Sequence, residues 1–569
     1  MFSFLRWALV PALLLVSLQL VSGDDTKAPA LPPELAAADQ LYRAGKFAEA
    51  EAGYQALLKA DSKLVPAQVG LVRSMLRQQK VGAAFDAVNT ALAAQSNSAA
   101  LLAAKGDVRF RRAEMSEAEL SYLAAKKLDH NEVHAYLGLA RVYSAYSMYR
   151  IAYGELEIAH QLAPDNIAVQ KAWLEMLPRQ ERRAALAAYL NGVHPDDEEE
   201  TKRMTEHLEF LKATADKPIH ACTLVSKVEQ TETKLETMDA DGGRRSRGVS
   251  MPRGIGLAAK FNDQDVKLLL DTGAGGILVS RKVAEKAELT RLSSLRFGGI
   301  GDRGLQTGYT AVAGHIRIGE LEFQDCVVAV SNQGAIADGD GLIGADVFGD
   351  YLVDIDFPEM RLKLSPLPKR PEDPAPPTSL NSEGEEQASA ETDLKEGSAS
   401  EPTSKGQKTS PPRTQTSRRL PKDRYIAPEM VNWTKVFRFG HAILVPTSVN
   451  DSKPKLFELD TGAFSNVLSL RAGREVAKVG SDYRDQVMGV SGKVNQVYSS
   501  KKATLAFGHL RQSNLGIITF DLSNVSAQTG TEVSGFLGFE MLRRLELKLD
   551  YRDGLVDFVY DPKRVPLAK

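Results

Sequence analysis

Only two cysteines, Cys222 and Cys326, occur in 569 residues, too few for a disulfide scaffold, an iron–sulfur protein or a cysteine-rich zinc module. Charge of one sign is equally scarce. The 71 Lys and Arg against 73 Asp and Glu leave a net charge of −2, which argues against a nucleic-acid coat or a polybasic membrane binder. P-loop, G-x-S-x-G elbow and Cys–His nucleophile patterns are missing. One G-x-G-x-x-G stretch, Gly299 to Gly304, has no βαβ setting and runs on into β pattern, so it is no dinucleotide site. His130 and His134 stand four apart, but the glutamate between them sits one place too late for a zinc-protease helix. No metal and no cofactor are expected. What remains is 43% hydrophobic and 25% charged, an ordinary globular composition, long enough for three or four domains.

The chain opens on a targeting pattern. Arg6 precedes the apolar run Trp7 to Val21, whose fifteen residues fall short of the ~20 that a spanning helix needs. Small residues at Val21-Ser22-Gly23 lead into Asp24-Asp25, so residues 1–23 read as a secretory signal cleaved near Gly23. No later run approaches a membrane span. The expected product is exported, periplasmic or secreted, with no membrane attachment after cleavage. In such a compartment a Cys222–Cys326 disulfide and two buried thiols are both open readings.

Residues 34–216 carry a repeat. Steps of 34 residues join Phe47, Val81, Met115 and Tyr149, and likewise Ala50, Ala84, Ala118 and Ala152. A third column runs Leu57, Ala91, Ala125, Ala159. That period is the length of a tetratricopeptide repeat. A column of alanines suits the point where paired helices cross, because a larger side chain would hold them apart. Four repeats are expected over about Glu34 to Gln170, with further helices capping the stack.

From about residue 219 the pattern becomes β: short alternating runs, glycines and β-branched residues. Two such regions, 219–365 and 424–562, flank a segment at 366–423 rich in Pro, Ser, Thr, Glu and Lys. That segment has too little apolar surface to order itself and reads as a disordered linker. The β regions are copies. Leu268-Leu269-Leu270-Asp271-Thr272-Gly273-Ala274 matches Phe457-Glu458-Leu459-Asp460-Thr461-Gly462-Ala463. Phe297-Gly298-Gly299-Ile300-Gly301 is followed in the second copy by Met488-Gly489-Val490-Ser491-Gly492. Leu342-Ile343-Gly344 has its counterpart in Phe536-Leu537-Gly538, and Asp356 and Asp550 stand twelve residues beyond those glycines. One Asp-Thr-Gly is weak evidence; the ordered set, twice, is strong.

Each copy resembles a retropepsin-like aspartic protease domain, and the tandem resembles the two-lobed plan of pepsin-type enzymes. The resemblance implies a multidomain chain: an all-α tetratricopeptide-like array followed by two all-β acid-protease lobes. It implies Asp271 and Asp460 as the catalytic pair, and Thr272, Gly273, Thr461 and Gly462 as active-site loop residues. It further implies flaps at Gly298, Gly299, Gly301, Gly489 and Gly492, and loop support from Leu342, Ile343, Gly344, Phe536, Leu537 and Gly538. The lobes are shorter than pepsin's, and the second flap region holds only Gly-Val-Ser-Gly.

The chemistry agrees with the pairing. Metal-free peptide hydrolysis needs one group to deprotonate water and another to protonate the carbonyl oxygen. Two carboxyls ~3 Å apart cannot both ionise, so they share a proton and provide both functions. The expected function is an exported aspartic endopeptidase acting on peptide or protein substrates, with the array recruiting a protein partner. The alternative is a non-catalytic interaction scaffold with degenerate lobes; Asp-Thr-Gly in both copies favours the enzyme. A 58-residue linker has a random-coil reach of ~40 Å, enough to pair the lobes within one chain, as a monomer.

Overall fold

The computed structural model describes residues 32–177, 179–192, 198–215, 223–226, 228, 230–239, 252–332, 336, 339–371, 422–481, 487–514 and 516–564. The expected signal at 1–23 and Cys222 lie outside these residues.

Eleven described helices form the first part: α1 (Pro33–Arg43), α2 (Phe47–Ala60), α3 (Val65–Arg77), α4 (Val81–Ala94), α5 (Ala99–Arg111), α6 (Met115–Leu128), α7 (Val133–Ala145), α8 (Tyr149–Leu162), α9 (Ile167–Met176), α10 (Arg179–Gly192) and α11 (Glu198–Ala213). Phe47, Val81, Met115 and Tyr149 each begin the second helix of a pair. The alanine column Ala50, Ala84, Ala118, Ala152 is completely buried, as close helix crossing requires. Caps close several starts: the Ser98 hydroxyl takes the Leu101 N–H, and the Asn166 side chain takes those of Ala168 and Val169. A second column shares the 34-residue step, with Asp39, Arg73, Asp107 and Arg141 on the first helices of the four pairs. Arg141 Nη2 lies 2.5 Å from Asp107 Oδ1, and Arg73 Nε lies 3.4 Å from Asp107 Oδ2. Tyr54 and Tyr122 donate to Asp39 and Asp107 at 2.6 and 2.9 Å. His134, half of the histidine pair, packs its Nε2 3.1 Å from Arg73.

The two β lobes share one topology. In lobe 1 the strand Gln264–Asp271 runs parallel to Gly341–Gly344, which pairs antiparallel with Ile277–Ser280. In lobe 2 Lys455–Asp460 runs parallel to Gly535–Gly538, which pairs antiparallel with Val467–Ser469. Alternation sorts the side chains. Leu268, Leu270, Phe457 and Leu459 enter one core that runs under both lobes, while Leu269 faces the other way.

A shared sheet joins the lobes. Tyr351–Asp356 of lobe 1 pairs antiparallel with Glu546–Asp550 of lobe 2, Leu352 opposite Asp550, Asp354 opposite Lys548 and Asp356 opposite Glu546. Asp354 and Lys548 are equivalent positions in the two copies, so the pseudo-twofold passes between them. The lobes are therefore paired within one chain.

The array is not a detached arm. The Thr531 hydroxyl donates to the Phe110 carbonyl at 2.6 Å, and Glu532 N–H donates to the Arg111 carbonyl at 3.1 Å. The Phe110 and Phe439 rings meet edge to face at 6.1 Å, and Tyr146 packs on Phe437 at 5.4 Å. Phe110, Met115, Tyr122, Leu139 and Val142 share one apolar cluster with Leu444, Leu456, Val467 and Phe536 of lobe 2. At the other end Glu206 of α11 pairs with Arg296 of lobe 1 at 3.0 Å.

The ends of the 366–423 segment depart from the disordered linker that its composition predicts. The Pro368 carbonyl accepts from Arg552, and Arg370 pairs with the buried Asp553. Asp423 Oδ1 accepts the N–H groups of Arg150 and Ile151 at the start of α8, at 2.9 and 3.2 Å. Specific charge pairing orders these ends where apolar burial could not. Residues 372–421 lie outside the described residues.

Candidate active site

Asp271 and Asp460 each end a strand, opposite Gly344 and Gly538 in the parallel pairings. The turns that follow cross-link across the pseudo-twofold. Thr272 N–H donates to Thr461 Oγ1 and Thr461 N–H to Thr272 Oγ1, both at 3.0 Å. The same hydroxyls donate onward, Thr272 to the Leu459 carbonyl at 2.7 Å and Thr461 to the Leu270 carbonyl at 2.8 Å. Both threonines are fully buried. Each threonine thus uses its hydroxyl as donor and acceptor at once, which only a fixed approach of the two loops permits.

The glycine after each threonine is a close-approach position. A Cβ on Gly273 would stand 2.7 Å from Asp460 Cγ, and one on Gly462 would stand 2.4 Å from Asp271 Oδ2. Gly273 N–H donates to Asp271 Oδ1 at 2.9 Å; Gly462 and Ala463 N–H donate to Asp460 Oδ1 at 2.9 and 2.8 Å. Any other residue would push the carboxyls apart.

The two carboxyls approach each other across the axis, each lying against the glycine of the opposite loop. Burial is the main force raising Asp271, partly opposed by the Gly273 N–H. Burial and then the Asp271 charge push Asp460 well above the ordinary carboxylate range. Two acids that cannot both lose a proton behave as one titrating unit that holds a single shared proton. Asp346 accepts the Gly276 N–H at 3.0 Å and braces the first loop.

The apolar-apolar-Gly segments divide their work. Ile343 and Leu537 lie in the core beneath the loops. Leu342 and Phe536 face the cleft instead, because adjacent strand residues point to opposite sides. Gly344 N–H donates to the Gly276 carbonyl at 2.7 Å, and Gly538 N–H to Asn466 Oδ1 at 2.8 Å.

The glycine-rich candidates meet at their tips. In lobe 1 the loop 298–305 joins the hairpin strands Thr290–Phe297 and Gln306–Ile318. In lobe 2 the hairpin is minimal, Met488 opposite Lys493 and Gly489 opposite Gly492. Ser491 N–H donates to the Ile300 carbonyl at 2.9 Å, Arg303 N–H to the Ser491 carbonyl at 3.0 Å, and Asp302 N–H to the Lys493 carbonyl at 3.1 Å. Gly299 N–H adds a bond to Ser491 Oγ at 3.2 Å. Gly298, Gly299, Gly301, Gly489 and Gly492 therefore all sit in or beside one interlocked pair of tips.

Sequence reasoning missed Asp346 and Asn466, whose roles come from tertiary contacts, and gave no role to Ser491 and Glu458, which stand in quoted motifs. Cys326 is disulfide-bonded, and Cys222 is the only other cysteine in the chain.

No curated protein matches the chain. Among solved structures, a thermophilic TPR protein of Thermus thermophilus is similar at 20% identity and a TM-score of 0.26, covering 31% of this chain and 97% of that one. Residues 257–347 match the family model described as aspartyl protease. That stretch spans Asp271-Thr272-Gly273, the first glycine loop and Leu342-Ile343-Gly344, so lobe 1 carries an aspartyl protease family domain.

Proposed function

We propose that the chain is an exported aspartic endopeptidase whose single active site is shared by Asp271 and Asp460. The observation that carries this reading is the pair of Asp-Thr-Gly loops locked by reciprocal threonine bonds, which set each carboxyl against the glycine of the opposite loop. A water between them loses a proton to Asp271 as its oxygen attacks the peptide carbonyl carbon. Asp460 gives its proton to the carbonyl oxygen, forming a neutral tetrahedral diol. As the diol collapses, one hydroxyl returns its proton to Asp460 and reforms the carbonyl, the C–N bond breaks, and the proton on Asp271 passes to the leaving amine. The interlocked tips roof the cleft and must open for a substrate to enter. The bonded Cys326 supports an oxidising compartment and hence export. The array buttresses lobe 2 and offers its other helix faces to a protein partner or substrate.

The test is cleavage of a mixed peptide library across pH by the wild type and by Asp271→Asn and Asp460→Asn. Both variants should lose at least about 10³-fold in kcat/KM, and mixing them should restore nothing. Full activity in either variant, or no aspartate-dependent cleavage at any pH, rejects the reading.

A further inference from the structure

The two copies place equivalent side-chain clusters on either side of the dyad, and one position differs in chemical class, apolar in lobe 1 and acidic in lobe 2. In lobe 1 the cleft-facing side chains Leu269, Leu278 and Leu342 cluster with Ala274 and with Val490 from the opposite lobe's hairpin tip. In lobe 2 the equivalents Val467, Phe536 and Ala463 cluster with Ile300, again from the opposite tip, in a cluster that also takes in Phe110 and Leu139 of the array. The register confirms the match, with Leu278 opposite Leu342 in one lobe and Val467 opposite Phe536 in the other. The position of Leu269, two residues before the aspartate, belongs in lobe 2 to Glu458. Its neighbours Phe457 and Leu459 point into the core, so strand alternation turns Glu458 to the same side as Asp460.

Glu458 is 5% exposed, and among the described residues its carboxyl has no ion-pair or hydrogen-bond partner. Burial, then the Asp460 and Asp271 carboxyls, hold it well above the ordinary glutamate range. An unpaired carboxyl in an apolar pocket is costly, and its position beside the reacting atoms gives a reason for keeping it.

We propose that Glu458 is a specificity-determining residue that makes the lobe 2 pocket a site for a basic substrate side chain, lysine or arginine, while the lobe 1 pocket takes an apolar one. The inference rests on the proteolytic reading above and names its substrate class. A cationic side chain entering the pocket lets Glu458 ionise and form charge-assisted hydrogen bonds. Such bonds favour lysine over an isosteric apolar residue by about ten- to a hundredfold. Lobe 1, with leucine at the same place, has no means to reward a charge. The scissile bond is then flanked by one apolar and one basic residue.

The experiment uses the full chain with matched peptides that differ only at the two residues flanking one bond: Leu–Leu, Leu–Lys, Lys–Leu, Leu–norleucine and norleucine–Leu. Wild type should cleave one of the two lysine peptides about ten- to a hundredfold faster, in kcat/KM, than its norleucine partner. Glu458→Leu should erase that preference, read as the lysine-to-norleucine ratio of kcat/KM whatever the absolute rates, and Glu458→Gln should retain part of it. Thermal melting establishes that each variant is folded. A wild type indifferent to lysine at both positions, or a Glu458→Leu variant that keeps the preference, overturns the proposal and leaves the proteolytic reading standing. If no peptide is cleaved, binding of the lysine and norleucine peptides to Asp271→Asn, with and without Glu458→Leu, is measured by anisotropy. A lysine preference that needs Glu458 then upholds the pocket while the proteolytic reading falls, and its absence rejects both.

Discussion

Lobe 1 and lobe 2 share strand order, loop motif and glycine positions, yet each is finished differently. Lobe 1 carries a long hairpin over the cleft and a bonded Cys326. Lobe 2 has a hairpin of two-residue strands and leans on the helical array through Phe437 and Phe439. What touches the pseudo-twofold is matched: the threonine bonds agree within 0.1 Å between copies. What touches each lobe's own surroundings is not. The comparison teaches that the dyad depends on equality at the axis and tolerates inequality elsewhere.

The largest expected break in that comparison comes from Phe110→Ala, which removes the edge-to-face contact with Phe439. A loss of about 3–5 kcal/mol is expected, confined to the array and lobe 2. Hydrogen exchange should rise in residues 437–449 with 264–297 unchanged; equal loss in both lobes would mean the array braces the whole molecule. Next, Thr272→Ala and Thr461→Ala should cost the same, about 2–5 kcal/mol, because each leaves one buried N–H and one buried carbonyl unpaired. Denaturant melts that separate the two variants by more than about 1 kcal/mol would show that one lobe holds the axis alone.

Acidity offers a third probe, at the shared sheet. Burial and the neighbouring Asp553 push Asp550 up from 3.8 to about 6, so the folded state prefers its protonated form. The stabilisation is complete below the unfolded value of 3.8 and is lost as pH rises through about 6. The shift corresponds to at most about 3 kcal/mol. Asp550→Asn should therefore raise Tm at pH 7.5 and leave it nearly unchanged at pH 4; a uniform gain at both would place the strain elsewhere. The smallest effect is at the tips. Gly301 has φ +131°, and a Cβ there would lie 2.3 Å from the Ser491 carbonyl. Gly301→Ala should lower kcat/KM about tenfold with little change in Tm, whereas Gly304→Ala, facing open space, should do less.

The sequence made the dyad legible because an Asp-Thr-Gly followed in the same order by a glycine loop and an apolar-apolar-Gly segment is a local pattern read twice. The buried Ala50–Ala152 column was legible for the same reason, as a fixed step. Asp39, Arg73, Asp107 and Arg141 obey that step too, but charges on helices look like ordinary solvated surface until Tyr122 and Asp107 are seen to bond. The docking of Phe110 and Tyr146 on lobe 2 left no periodic trace, since a contact between distant elements imposes no spacing on either. Strands of two residues, as at Met488-Gly489, are too short to show alternation, so the second tip was visible only as glycines. Glu458 was visible in the aligned copies; only the cleft-facing side of its strand gives the substitution meaning.

The shared sheet and the crossed threonines have a consequence for how the chain could be cut. The residues just before 372 and just after 421 are both fastened, Arg370 to Asp553 and Asp423 to the start of α8. Among the described residues, the contacts that align Asp271 with Asp460 are non-covalent. A peptide bond broken within it would turn one polypeptide into two without separating the halves of the site. The molecule would then persist as a heavy and a light chain, and separately expressed halves would have the contacts needed to reassemble.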